Sequence, residues 1–349
     1  MKKYKVAVLG ATGAVGQRFL DLLADHPYFE VVALCGSDRS AGKKYRESAL
    51  WLLGSDIPPK YLDMEVLPAD PLKIPQEVEI IFSAIPSEAA RDIEGSFASA
   101  GYKVFSNTRT YRMEKDVPLI VPEVNASHIA LIENQKRRGW KGFIVTNPNC
   151  IVVPLVIALK PLDDAFGVKD VIVSTMQAVS GAGYPGVASL DIIDNVIPYI
   201  QGEEPKIITE TQKILGSMTA ARTDIAISPS CHRVGSVDGH LIDARISLKE
   251  KADLSEVKSA LRNFKAETQG MNLHSSPDPV IVVRDEENRP QPKLDRMQGR
   301  GMAISVGRIR EDEVLKNGIK MEILGHNTIR GAAGGSILNA EYYIAKYTV

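Results

Sequence analysis

The chain has 349 residues, 24% of them charged, with 42 basic against 43 acidic side chains and a net charge of −1. That length accommodates two domains with sizeable cores, and so even a balance gives no electrostatic case for a nucleic acid or an anionic membrane as partner. Three cysteines, an odd number, do not suggest a disulfide framework, and the N-terminal apolar run stops at Gly10, too short for a secretory signal or a membrane span, so a cytoplasmic protein is expected.

In chain order, residues 5–9, 30–35, 79–83, 103–106 and 143–146 read as short apolar strands. Residues 15–24, 88–100 and 126–138 read as helices between them. This alternation predicts a parallel sheet with helices on both faces. After Cys150 an apolar helix follows, and then the rhythm changes. Strand candidates at 171–177, 240–248, 280–283, 303–309 and 320–324 outnumber the helices at 209–215 and 254–264. The partial alternation over 237–248 suits a sheet with one solvated or interfacial face, so the second half predicts an α+β domain. Residues 331–345 are small and then helical, and are expected to dock back on the first domain.

Residues 10–16, GATGAVG, lie where the first strand passes into the first helix. Their spacing, G-x-x-G-x-x-G from Gly10 through Gly13, is a variant of the dinucleotide fingerprint. Glycine permits the tight turn and lets the backbone approach a pyrophosphate, and the helix N-terminus binds the anion. A glycine-rich turn without a ligand is the bland alternative; the strand–loop–helix setting favours the nucleotide. The second strand ends in LCGSDRS. An NAD enzyme usually carries an acidic residue there for the ribose 2′-hydroxyl, whereas Ser37 and Arg39 suit a 2′-phosphate, which points to NADP. Asp38 in the same turn supports the opposite reading, and a merely solvated Arg39 is the bland one.

The segment TNPNCIVVPL, residues 146–155, puts Cys150 where a turn opens a helix. Unpaired N–H groups and the helix dipole at such a point lower a thiol pKa. Cys35, in an apolar strand, reads as a small core hydrophobe. Cys231 precedes His232, but neighbours in a strand point to opposite faces and do not pair as nucleophile and base. No further ligands stand at metal-like spacing, so no metal is expected. Cys150 is the candidate nucleophile. Beside a nicotinamide, a nucleophilic cysteine implies aldehyde chemistry through a thiohemiacetal and a thioester, with a histidine carrying the proton. Of six histidines, His26 and His128 read as surface residues and His274 as part of a polar loop. His240 and His326 remain, and the pattern does not choose between them.

The segments GATGAVGQRFL, SNTRTYRMEKDVPLIVPEVN, TNPNC, QAVSGAGYPG, ETQKIL, RVGSVDGH and HNTIRGAAGGSILNAE occur in that order over essentially the whole chain. Together they resemble the aspartate-semialdehyde dehydrogenases of archaea and fungi. The resemblance implies an α/β fold, with a Rossmann-type NADP-binding domain formed discontinuously by residues 1–149 and 327–349. An α+β catalytic and dimerisation domain would span 150–326. Cys150 would carry the acyl thioester, His240 would be the general acid/base, and Gln177 would orient the substrate. Arg233 would pair with the substrate α-carboxylate and Glu210 with its amino group. Arg112 and Lys213 would bind inorganic phosphate, with Asn149 positioning phosphate or oxyanion, although Arg109 is the phosphate ligand if the match slips by one helical turn. Thr12, Gly13, Ala14 and Val15 would cradle the pyrophosphate, and Ser37, Arg39 and Ser40 would meet the 2′-phosphate. Ser180, Gly181 and Asn327 would lie near the nicotinamide. The implied activity is reversible NADP-dependent reduction of 4-phospho-L-aspartate to L-aspartate 4-semialdehyde, in lysine, methionine and threonine biosynthesis, by a homodimer or homotetramer. A malonyl-CoA or succinyl-CoA reductase of the same branch, using the same cysteine and cofactor, is the alternative.

Overall fold

A computed structural model of the protein describes residues 3–348, which fall into two units. The first takes the chain up to Ile120, Ser127–Asn147 and the chain from Ala332 onward. Its strands are β1 (Tyr4–Leu9), β2 (Phe29–Gly36), β3 (Val66–Pro68), β4 (Val78–Ser83), β5 (Lys103–Ser106) and β6 (Phe143–Thr146). They form one sheet in the order β3-β2-β1-β4-β5-β6, every pair parallel. The predicted parallel sheet is thus present. β1 and β4 read as near-continuous apolar runs because both faces are covered: Val6 to Leu9 and Ile80 to Phe82 are fully buried. The order reverses between β1 and β4, the point at which such a sheet opens a crevice at its carboxyl edge.

Helices Ala14–Leu23 and Ser87–Ala100 follow β1 and β4. The second ends at Gly101, whose left-handed φ of 111° closes the helix as only glycine does without strain. The stretch Ala126–Arg138 is helical but of the tighter 3-10 type. The terminal helix Gly334–Tyr347 does dock on this unit, against β5. Its Glu341 lies 2.9 Å from His26, and both side chains are buried. His26 is therefore no surface residue, and neither is His128, which is 6% exposed. Their sequence surroundings look polar, but Tyr28 and Phe29 donate backbone N–H groups to His26 Nδ1, so the ring is satisfied inside.

The second unit comprises Val121–Ala126 and Pro148–Gly331. Its sheet is built from β7 (Val168–Gln177), β8 (Ala226–Arg233), β9 (His240–Leu248), β10 (Ile281–Val283), β11 (Ile304–Asp312) and β12 (Gly318–Gly325). The order is β10-β11-β12-β9-β7-β8, with parallel outer pairs and antiparallel inner ones. β8 was not expected from sequence. Pro229 interrupts it, which is tolerated because β8 is an edge strand. Helix Val152–Phe166 packs on β9, β11 and β12, with Val152 to Leu159 all buried. Helix Glu203–Ile214 begins six residues before the predicted 209–215. Pro205 in its first turn masks the start in sequence but costs no intrahelical bond there.

Candidate active site

In the first unit the glycine turn is shaped by close backbone approach. Gly10 has a φ of 75°, and a Cβ on it would lie 2.6 Å from the Ala84 carbonyl oxygen. A Cβ on Gly16 would lie 2.1 Å from the Gly10 oxygen. Any side chain at either position would collide with that backbone and displace the turn. Thr12, Gly13, Ala14 and Val15 face partly outward around the start of helix Ala14–Leu23, which has no acidic residue in its first turn. The first amides of a helix have no intrahelical partner and attract an anion. Buried Gln17, which sequence reading passed over, staples this loop. Its Nε2 donates to the carbonyls of Thr12 (3.0 Å) and Leu50 (2.7 Å), and its Oε1 accepts from Leu52 N–H (2.7 Å). A polar residue directly after the third glycine, on a buried helix face, was the available signal.

At the end of β2, Ser37, Asp38 and Arg39 are exposed. Ser40 is buried instead, and its hydroxyl donates to the Ser37 carbonyl at 3.0 Å. Arg112 is 7% exposed, with Nη2 donating to the Asn107 carbonyl at 2.9 Å. Arg109 is exposed and lies 4.0 Å from Glu88. These glycines, amides and exposed hydroxyl and guanidinium groups fit a dinucleotide with a 2′-phosphate.

In the second unit four strand ends meet. β7 and β8 run parallel and end in register at Gln177 and Arg233. β9 runs antiparallel to β7, so it begins at that end with His240. β12 runs antiparallel to β9 and finishes there, with Gly325 opposite His240. Gln177, Arg233, His240 and the following His326 and Asn327 are thereby gathered at one edge of one sheet. Cys150, just before helix Val152–Phe166, joins them: its Sγ lies 3.2 Å from His240 Nε2. Gly331 packs so closely that a Cβ there would sit 2.7 Å from Cys150 Cβ.

His240 is fully buried, and Ala178 N–H donates to its Nδ1 at 3.1 Å. The neutral ring therefore carries its proton on Nε2, facing the sulfur. Burial, with Arg233 and His326 adding to it, pushes the imidazole pKa down to about 3, so the ring is neutral at ordinary pH. Arg233 Nη1 donates to the Ala178 carbonyl at 2.8 Å. Gly181 lets the chain lie against both: a Cβ would be 2.9 Å from Arg233 Nη1 and 3.0 Å from His240 Cε1. Asn327 donates to Ser180 Oγ (2.8 Å) and accepts from Gly239 N–H (2.9 Å), tying that loop to the start of β9. Gln177 is buried, with Nε2 3.3 Å from Thr175 Oγ1.

Helix Glu203–Ile214 adds Glu210, whose Oε2 accepts Asn149 N–H at 2.6 Å, and half-buried Lys213 one turn later. The other cysteines are unsuited to attack. Burial pushes Cys35 up to about 12 and Cys231 up to about 11. Among the described residues no cluster of three or more metal-ligating side chains occurs, and no helix is long and apolar enough to cross a membrane.

Known proteins share this arrangement of sequence. Residues 5–132 match the family model of a semialdehyde dehydrogenase NAD-binding domain, and residues 159–330 that of a semialdehyde dehydrogenase dimerisation domain. An aspartate-semialdehyde dehydrogenase of Methanothermobacter thermautotrophicus is 52% identical over 96% of this chain and 97% of its own length. A malonyl-CoA reductase (NADP) of Metallosphaera sedula is 41% identical over 98% of this chain and 97% of its own. The crystal structure of aspartate-semialdehyde dehydrogenase with NADP from Candida albicans superposes with a TM-score of 0.91 at 42% identity, covering all of both chains.

Proposed function

This chain belongs to the aspartate-semialdehyde dehydrogenase family, and from that premise we propose that it reduces 4-phospho-L-aspartate to L-aspartate 4-semialdehyde and releases inorganic phosphate, in lysine, methionine and threonine biosynthesis. NADP is its cofactor, held by the cradle of Gly10, Thr12, Gly13, Ala14 and Val15 and by Ser37, Arg39 and Ser40 at the 2′-phosphate. The observation that carries the reading is the 3.2 Å approach of Cys150 Sγ to His240 Nε2.

Cys150 lies at a helix start, under the Nε2–H of a neutral histidine, two features that favour a thiolate. The thiolate attacks the acyl carbon, phosphate departs, and a thioester forms on Cys150. When bound, NADPH supplies the hydride that reduces this thioester. His240 faces the oxyanion that develops and hydrogen-bonds it through Nε2–H, sharing that proton with the oxygen until the tetrahedral species collapses. Collapse expels the semialdehyde and returns the sulfur to its place under Nε2–H. Arg233 pairs with the substrate α-carboxylate, a bidentate role that suits a guanidinium. Glu210 takes the amino group, Gln177 orients the reacting carbon, and Asn149 steadies the oxyanion or phosphate. Arg112 and Lys213 supply cations for phosphate, a dianion costly to strip of water without them. Ser180, Gly181 and Asn327 border the nicotinamide.

We assign residues 1–149 with 327–349 to cofactor binding and 150–326 to catalysis and association. The protein works in the cytoplasm as a homodimer or homotetramer. Exposed Leu190 (90%), Ile193 (67%) and Tyr199 (64%), within the stretch matched to a dimerisation domain, support association. The test is one assay with purified protein. NADPH should appear from semialdehyde, NADP and phosphate, and only with phosphate present. Oxidation of NADPH by malonyl-CoA at a comparable rate, with no need for phosphate, would replace this reading with the CoA-thioester reductase.

A further inference from the structure

The loop that carries Arg112 leaves the carboxyl end of β5 and is held along its length by one face of helix Ser87–Ala100. Thr110 Oγ1 donates to the Ser87 carbonyl at 2.9 Å, and the Tyr111 hydroxyl donates to the Arg91 carbonyl at 2.7 Å. Glu94 completes the row, since positions 87, 91 and 94 stand one turn apart on the same helix face. Thr110 and Tyr111 reach only the backbone of that face, whereas Glu94 offers its side chain. Ser106 Oγ donates to Glu94 Oε1 at 2.7 Å and Thr108 Oγ1 to Glu94 Oε2 at 3.3 Å, while Thr108 N–H donates to Ser106 Oγ at 3.0 Å. These two hydroxyls flank Asn107. Its N–H donates to the Ser83 carbonyl at 3.0 Å, its Oδ1 accepts Asn147 Nδ2 at 3.2 Å, and its carbonyl accepts Arg112 Nη2 at 2.9 Å. One fully buried carboxyl thus fixes, from both sides, the peptide that holds the guanidinium.

The same carboxyl is linked to Arg112 by charge. Burial pushes it up to about 7, and the Arg112 guanidinium draws it down. The Tyr111 phenol beside it is raised by burial and stays neutral. The other charges around the helix are engaged elsewhere or in water. Arg91 lies 3.2 Å from Glu114, Arg109 lies 4.0 Å from Glu88, Lys103 of β5 lies 3.4 Å from Glu79, and Lys73 is exposed. We propose that Glu94 is a positioning residue for Arg112, and through it for inorganic phosphate: it fixes the turn that holds the guanidinium and, once ionised, competes with phosphate for that cation. The inference rests on the reading of Arg112 as a phosphate ligand.

The experiment measures KM for phosphate and for semialdehyde in the intact enzyme from pH 6 to pH 8. Glu94→Leu leaves both hydroxyls without their acceptor and should raise KM for phosphate about tenfold at pH 6, the worth of two hydrogen bonds, and KM for semialdehyde far less. In an Arg112→Ala background the same change should raise KM for phosphate no further. Glu94→Gln keeps the shape and an oxygen for Ser106, and it carries the test even where the leucine variant does not fold. It should match the native KM for phosphate at pH 6 and fall below it roughly threefold at pH 8, the worth of an ion pair near solvent. Phosphate itself titrates over this range, and comparing the two proteins at each pH cancels that. The proposal is overturned by a native phosphate KM in Glu94→Leu, by equal rises in both KM values, or by a ratio of Glu94→Gln to native that stays constant with pH. A phosphate defect in Arg112→Ala with silent Glu94 variants would sink this inference alone. Native phosphate kinetics in Arg112→Ala would remove the phosphate assignment and the inference with it.

Discussion

In the first unit the groups arranged for a ligand are glycines, main-chain amides and a helix start, all in the loops after β1 and β2. In the second they are histidine, glutamine and arginine side chains, brought to one sheet edge from the ends of separate strands, and a cysteine that joins them from the turn before a helix. The difference follows from what each must do. Holding a pyrophosphate needs close backbone approach, so the residues required are those with nothing beyond Cα. Forming and breaking a thioester needs a nucleophile and a proton carrier at fixed separation, so residue type and strand register matter together. Substitutions in the second unit should therefore act on the rate of chemistry, and those in the first on cofactor or phosphate affinity or on stability.

The largest effect should come from Cys150→Ala. Turnover in either direction should be lost while NADP binding, measured by fluorescence titration, stays native. Appreciable semialdehyde oxidation by this variant would end the division just drawn, as would inactivity of Cys231→Ala, since burial keeps that thiol protonated.

His240→Asn should come next, lowering kcat on the order of 10²–10⁴-fold, the usual contribution of a positioned proton carrier. Asparagine can accept from Ala178 N–H as Nδ1 does, but it is too short to reach the sulfur as Nε2 does, so the loss reports the whole contribution of Nε2–H. With the imidazole pushed down to about 3, kcat/KM of the native enzyme should show no step near pH 6.5, the ordinary histidine value. If His326→Asn were the crippled variant and His240→Asn active, the assignment would pass to His326.

That ambiguity marks how far the sequence could be read. The parallel sheet was visible because strands buried on both faces read as unbroken apolar runs, and Cys150 because Asn-Pro-Asn opens a helix. His240 and His326 could not be separated because the pairing of β9 with β12 sets Gly325 opposite His240 and leaves both histidines at one sheet edge, a matter of register rather than pattern. β8 escaped because Pro229 spoils its periodicity, and Glu94 because the hydroxyls it holds lie 12 and 14 residues away in the chain. His26 was misplaced because local polarity says nothing of the terminal helix whose Glu341 meets it, and His128 because local polarity does not report burial.

Within the first unit, Glu94 tests the claim that stability is at stake there. It is buried on helix Ser87–Ala100, accepting from Ser106 Oγ at 2.7 Å and Thr108 Oγ1 at 3.3 Å. Burial pushes its carboxyl up to about 7, against the lowering influence of those hydroxyls and Arg112. The folded state thus keeps a proton that the unfolded chain loses near 4.5, so Glu94 supports folding below that pH and the support is lost as pH rises toward 7. Glu94→Gln keeps the shape without the charge. It should be more stable than the native protein at pH 8 by on the order of 2 kcal/mol and gain almost nothing at pH 4, by denaturant titration. An equal gain at both pH values would mean that packing, and not ionisation, decides.

Arg39→Ala should have the smallest effect, and it bears on a place where cofactor binding by the first unit depends on a side chain. Ser37, Asp38 and Arg39 are all exposed, whereas Ser40 turns its hydroxyl inward to the Ser37 carbonyl, so the guanidinium is the strongest group available to a 2′-phosphate. An exposed cation is screened by water and salt, so its loss should raise KM for NADP only about tenfold, less at high ionic strength, with kcat unchanged. NAD lacks the 2′-phosphate, and its KM should not move. The native protein should prefer NADP by a similar factor. If it used both cofactors equally, and Asp38→Ala weakened NAD alone, the carboxylate of Asp38 would be holding the ribose and Arg39 would be solvated. The turn would then discriminate by its acid rather than by its base.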